Sequence, residues 1–156
     1  MNVIKRNGTT EPLDLDKMHQ MVEFACDGLA GVSESQVEMN ANLQFFDGIK
    51  SSEIQDILIK SASDLISLDN PNYQFVAARL LLFATRKQLY GRMHDVPTLR
   101  VHVERCVEKG VYDAEILNLY SEEEFDKLQS FIDHHRDYLF TYAGLRQVVD
   151  KYLVQD

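Results

Sequence analysis

Apolar positions along this chain recur at two spacings. Near the start they are few: Val3 and Ile4 precede Asn7-Gly8, and Thr9, Thr10 and Glu11 follow. That pattern predicts a β-hairpin over 3–12, with a type I′ turn in which Asn7 and Gly8 both take positive φ. Pro12 has no N–H to give to a ladder and is expected to stop the pairing. From Leu15 the spacing changes to three and four. Leu15, Met18, Val22, Ala25 and Leu29 predict the buried face of a helix capped by Asp14 and closed by Gly28 and Gly31.

Three more helices follow by the same signals. Ser33 and Gln36 form a capping-box pattern ahead of "SESQVEMNANLQFF". Ile49-Lys50 reads as a short extended piece, and a helix capped by Ser51 or Ser52 follows, with Ile54, Ile57, Leu58, Leu65 and Ile66 as its stripe. "NPNYQFVAARLLLFATRKQLYG" predicts a fourth helix, with Asn70 as cap, Pro71 at its first position and Gly91 at its end. "GRMHDVP" (91–97) is the best internal boundary. Beyond it, "PTLRVHVERCVEKG", "DAEILNLY", "SEEEFDKLQSFI" with a Ser121/Glu124 capping box, and "LFTYAGLRQVVDKYL" each read as helix. No repeat of 20–50 residues recurs.

Composition narrows the classes. A chain of 156 residues, 45% hydrophobic and 26% charged, fits one soluble domain or one plus a small extension. A net charge of −9 argues against a duplex nucleic-acid surface but leaves room for one nucleotide, which needs only two or three local cations. The longest apolar run, "LLLFA" in 80–84, is too short to span a bilayer. Cys26 and Cys106 belong to no CxxC pair and are expected to be buried free thiols, in keeping with a reducing cytoplasm. Walker A, GxGxxG, HExxH and GxSxG patterns are missing, so no catalytic residue is assigned. His134-His135 reads as a solvated or capping pair rather than a metal site, since neighbours on a helix diverge by about 100°. Glu122-Glu123-Glu124 suits a first helical turn.

The stretches "VIKRNGTTEPLDLDKM", "GIKSSEIQDILIKSA" and "NPNYQFVAAR" together resemble the ATP-cone at the N-terminus of the class I ribonucleotide reductase large (α) subunit. The resemblance continues through "YDAEILNLYSEEEFDKLQSFIDHHRDYLFTYAGLRQVVDKYLVQD" and covers essentially the whole chain. It implies a mainly α fold: a four-helix ATP-cone capped by a small hairpin or three-stranded sheet (1–91), then a short helical lead-in (92–156) to a catalytic barrel. Lys5, Arg6, Ser51 and Lys87 then look like phosphate-binding residues. Glu11, Asp14 and Lys17 match the segment around adenine and ribose, Ile54 would pack on the base, and Gln55 lies beside them.

The implied ligand is ATP or dATP, with or without Mg2+, acting allosterically in deoxyribonucleotide synthesis; no redox cofactor is implied for this stretch. Implied partners are the rest of the α subunit, a radical-generating β subunit and other α subunits, with neither nucleic acid nor membrane among them. The family's redox cysteines lie in the barrel, so Cys26 and Cys106 do not match them, and the chain is expected to be a fragment or one piece of a split gene that is not catalytic alone. Three positions depart from dATP-inhibited members: Gln55 where His is frequent, Asp14 where Asn is frequent, and Ala84 where some carry His. They imply nucleotide binding without strong dATP shut-off. Two alternatives stand beside this reading: a degenerate cone that binds nothing and serves subunit assembly, and a nucleotide-binding repressor, whose zinc ribbon would need CxxC pairs absent here.

Overall fold

Short local rules build the sheet first. In the computed structural model, which describes residues 1–154, β1 (Asn2–Ile4) pairs antiparallel with β2 (Thr10–Pro12) and parallel with β3 (Ile49–Lys50), in the order β2-β1-β3. The hairpin turn differs from the type I′ expectation. Only Gly8 takes positive φ, 83°, while the Lys5 N–H donates to the Thr9 carbonyl at 2.8 Å and the Gly8 N–H to the Lys5 carbonyl at 2.9 Å. The loop is therefore three residues long, with one left-handed glycine. Asn7 stays out of the left-handed region because its carboxamide oxygen accepts from the Thr9 N–H at 3.0 Å and the Thr9 hydroxyl at 2.7 Å. Pro12 does not end the pairing either. It faces Asn2 inside the ladder, and the Leu13 N–H still reaches the Met1 carbonyl at 2.9 Å. Odd-numbered residues of β2 point their N–H groups at β1, so the donor that Pro12 lacks was never needed there.

Eight α-helices follow among the described residues. α1 (Leu15–Cys26) starts at Asp14, which accepts the Lys17 N–H at 3.0 Å, and buries Met18, Met21, Val22, Ala25 and Cys26. Leu15 was expected on that face but is more than half exposed; it lies in the first turn, and a stripe is covered only where another element packs on it. α2 (Glu34–Asn42) has Ser33 as cap, yet its capping box is only half made: the Gln36 side chain turns instead to the Tyr73 hydroxyl, which itself accepts the Ser33 N–H. α3 (Ser51–Asp64) takes Lys50, not Ser51 or Ser52, as its cap, and the Lys50 N–H donates to Glu53 at 2.9 Å. It ends at Asp64, so Ile66 falls outside the stripe and is exposed.

α4 (Tyr73–Tyr90) begins later than Asn70-Pro71 predicted. Pro71 and Asn72 form a tighter turn ahead of it, and the Asn72 side chain is drawn to the Ala30 carbonyl at 2.9 Å. Apolar on nearly every side, α4 is the central element and buries Tyr73, Val76, Leu80 and Phe83. Gly91 ends it in the left-handed conformation, φ 74°.

The second segment holds α5 (Leu99–Glu108), α6 (Ile116–Leu119), α7 (Glu122–Gln129), a 3-10 turn over His134–Leu139 and α8 (Tyr142–Gln147), which runs on as a π turn over Val148–Tyr152. α8 is capped by Thr141, which accepts the Gly144 N–H, so Leu139 ends the 3-10 turn and residues 140–141 are not helical as expected. α8 lies on α4, and Leu145 belongs to the same buried cluster as Val22, Leu58 and Phe83. The core thus crosses the 91/92 boundary. The last two positions of the 92–156 segment lie outside the described residues.

Candidate functional site

The nine residues singled out from the sequence meet. Lys5, Arg6, Glu11, Asp14, Lys17, Ser51, Ile54, Gln55 and Lys87 all line one cavity of about 580 Å3. It opens between the hairpin, the first turns of α1 and α3, and the last turns of α4. Chain geometry explains the convergence. β1 joins β2 and β3, which brings Lys5 and Arg6 beside the start of α3. Asp14 fixes where α1 begins, directly after β2. The length of α4 carries Lys87 back to the sheet end.

The cavity has two kinds of wall. Val3, Met18, Met21 and Ile54, each less than a tenth exposed, make an apolar floor, and half-buried Leu13 and Met93 extend it. The charged groups ring it. Lys5 Nζ lies 2.7 Å from Glu11 Oε1, and Lys17 Nζ lies 3.4 Å from Asp14 Oδ2. Arg6 donates to Gln55 Oε1 at 2.8 Å, bridging hairpin and α3. The Lys17 backbone N–H, followed by its ammonium, holds the Asp14 carboxyl below the usual carboxylate range, so Asp14 is ionised at neutral pH. Lys87 is the one cation of this ring without a side-chain partner among the described residues. Ala84 packs against the core and does not line the cavity.

A second cavity of about 470 Å3 adjoins the first: Lys5, Arg6 and Ser51 line both, and Ile4, Gly8, Lys50 and Ser52 complete its lining. No carboxylate lines it, and the free N–H groups of the first turn of α3 adjoin it. The two adjoining cavities thus present an apolar, partly acidic side and a cationic one.

Several lining residues were not singled out. Met18 and Met21 sit on a helix face that periodicity marks as core, and they serve as core and cavity floor at once. Asn7 and Thr9 also line the cavity, where the sequence marks only a turn residue and a residue of the returning strand. Met93 lies in the stretch read as a boundary, and nothing in its sequence context marks it.

Other candidate features lie elsewhere. His134 approaches Asp137 at 3.5 Å in the 3-10 turn, and the His135 N–H donates to Asp133. Among the described residues no group of three or more His, Cys, Asp and Glu could hold a metal ion. Cys26 is buried, as expected, but Cys106 is only half-buried; α5 buries Val103 alone and leaves the Cys106 thiol 3.5 Å from His102 Nε2. No helix among the described residues is long and apolar enough to cross a membrane.

Comparison with known proteins gives two findings. The family model for the ATP cone domain matches residues 1–88. The whole chain is also similar to ribonucleoside-diphosphate reductase α subunits: 50% identical over 154 residues to the ribonucleoside-diphosphate reductase 1 subunit alpha of Escherichia coli, and 47% over 154 residues to the subunit alpha of Haemophilus influenzae. These matches cover 99% of this chain and 20% of each relative, so the chain spans about a fifth of the length of the relatives it matches. A Helicobacter pylori subunit alpha is 40% identical over 157 residues, 100% of this chain and 19% of that relative.

Proposed function

Because the chain belongs to the ATP-cone family, we propose that residues 1–91 form a regulatory ATP- and dATP-binding unit of a ribonucleoside-diphosphate reductase α subunit, and that 92–156 lead from it toward the catalytic part. The observation that carries this reading is the pair of adjoining cavities, one with an apolar floor and the other cationic. A purine suits Ile54, Met18 and Met21, with Glu11 placed to accept from an adenine amino group. Phosphates suit Lys5, Arg6, Ser51 and Lys87, and the start of α3 offers backbone N–H groups to an anion. Magnesium, where it accompanies the nucleotide, would sit on the phosphates, because the two lining carboxylates, Glu11 and Asp14, are already paired with lysines.

Binding then requires an exchange. Lys5 must turn from Glu11, and Arg6 from Gln55, toward phosphate. Gln55 cannot become cationic, so it lends a phosphate less attraction than a protonated histidine would. The Asp14 charge is occupied with capping α1. Both features support a cone that binds nucleotide with weak dATP inhibition. Partners on this reading are the rest of the α subunit, a β subunit and other α subunits. Leu119, Phe131, Leu139, Tyr152 and Val154, each more than 60% exposed, fit a segment that packs on further chain.

The self-pairing of Lys5 and Arg6 favours a second reading, a cone whose site stays closed and which serves assembly alone. Calorimetry with ATP separates the two. Lys87→Ala removes a charged hydrogen bond worth about 1.5–3 kcal/mol, so affinity should fall roughly 10- to 100-fold while the melting temperature of the free protein holds. Equal affinity in variant and wild type would sink the phosphate role of Lys87, and absence of binding in both would leave the assembly reading.

A further inference from the structure

We infer that Arg86 is a positioning residue for the candidate nucleotide site, and that through it nucleotide affinity is coupled to the docking of the second segment. The inference rests on the nucleotide reading above and adds a mode of regulation to it.

Arg86 is 7% exposed, one of two buried polar or charged residues in the described structure. A buried guanidinium must be met by acceptors, because leaving it unpaired is costly. Two side-chain nitrogens find partners on different parts of the chain. One donates to Asp137 Oδ2 at 2.8 Å, in the 3-10 turn of the second segment. Another reaches the Met93 carbonyl at 3.4 Å. The guanidinium carbon also stands 5.9 Å from the centre of the Tyr138 ring.

Met93 connects this cluster to the site. Met93 and Gly91 line the 580 Å3 cavity together with Lys87, the residue that follows Arg86. The wall from 91 to 93 is fixed at one end by the left-handed Gly91, whose N–H bonds to the Lys87 carbonyl at 3.0 Å. At the other end Arg86 holds it. Asp137 sets where the guanidinium lies, so the 3-10 turn over His134–Leu139 is tied to the cavity wall through the Arg86 side chain. Asp137 is itself approached by His134 at 3.5 Å, which places its carboxylate between two cation-forming groups of different helical elements. A ligand that presses on Met93 or draws Lys87 shifts the carbonyl that Arg86 holds, and a second segment that lets go of Arg86 frees the wall. Linkage makes the two effects equal in free energy.

The test uses the full chain with ATP as the probe. Asp137→Asn keeps the side-chain shape and removes its charge. ATP affinity by calorimetry should fall about 3- to 10-fold, the range expected for a residue that modulates coupling without touching ligand. In the wild type, saturating ATP should raise amide protection over residues 133–140, and in Asp137→Asn it should not. A merely structural staple would lower the melting temperature and leave both readouts unmoved. Unchanged affinity in the variant, or wild-type protection over 133–140 that ignores ATP, overturns the coupling. Absence of ATP binding in the wild type is a different result: it overturns the nucleotide reading and the coupling with it. The protection measurement needs only the wild type, so a poorly folded variant does not rescue the inference.

Discussion

Cys26 and Cys106 each sit among apolar residues on a helix, and what surrounds the sulfur sets them apart. Burial pushes the Cys26 thiol up to about 12, with Glu34 adding to the shift. At pH 8 roughly one Cys26 in ten thousand is thiolate, and the side chain is 5% exposed. Iodoacetamide at that pH should therefore modify the half-buried Cys106 and spare Cys26 until denaturant is added. Mass mapping that finds Cys26 alkylated first in the folded protein would contradict the packing of α1. The same distinction governs what was legible at this scale. Type and spacing could not tell the two cysteines apart, because exposure depends on which element lies across the helix. The nine cavity residues were legible only because a resemblance fixed their positions together; Met93 was not, because the turn after Gly91 brings it to the cavity.

Between elements, the contact of His19 with Glu38 ties α1 to α2. Nδ1 stands 2.7 Å from the carboxylate. The Glu38 hydrogen bond and charge raise the His19 pKa above its usual value, and Glu23 and Glu34 add to that. A raised folded value means the charged form favours folding. The contribution is complete below the unfolded pKa, about 6.5, while Glu38 stays ionised, and it is lost as pH rises through the folded value. Denaturant midpoints of wild type and His19→Gln should thus differ most near pH 5.5–6 and converge in mild alkali. A gap that widens with pH would reverse the sign. Helix starts at Asp14, Ser33 and Ser121 were readable because each cap is a local bond to a backbone N–H three residues on. The start of α4 was not, since Asn72 answers to Ala30, 42 residues away.

For the molecule as a whole, the buried cluster joins the two sequence segments. Leu145 on α8 is 6% exposed and belongs to one buried cluster with residues of α1, α3 and α4, with α8 lying on α4. Leu145→Ala should cost about 2–5 kcal/mol and shift a single unfolding transition seen by both far-ultraviolet dichroism and tyrosine fluorescence. Two separated transitions would show that the segments melt independently. Order in the sheet bears on how copies meet. β2 is its outer strand, and alternation turns the N–H groups of residues 10 and 12 away from β1. Pro12 has none, so the rim offers one donor, at Thr10. The opposite rim, β3, is two residues long. Neither side gives another extended strand a row of partners to add to. Contact between copies through their strands is thereby disfavoured, and any growth by sheet extension is starved at both rims.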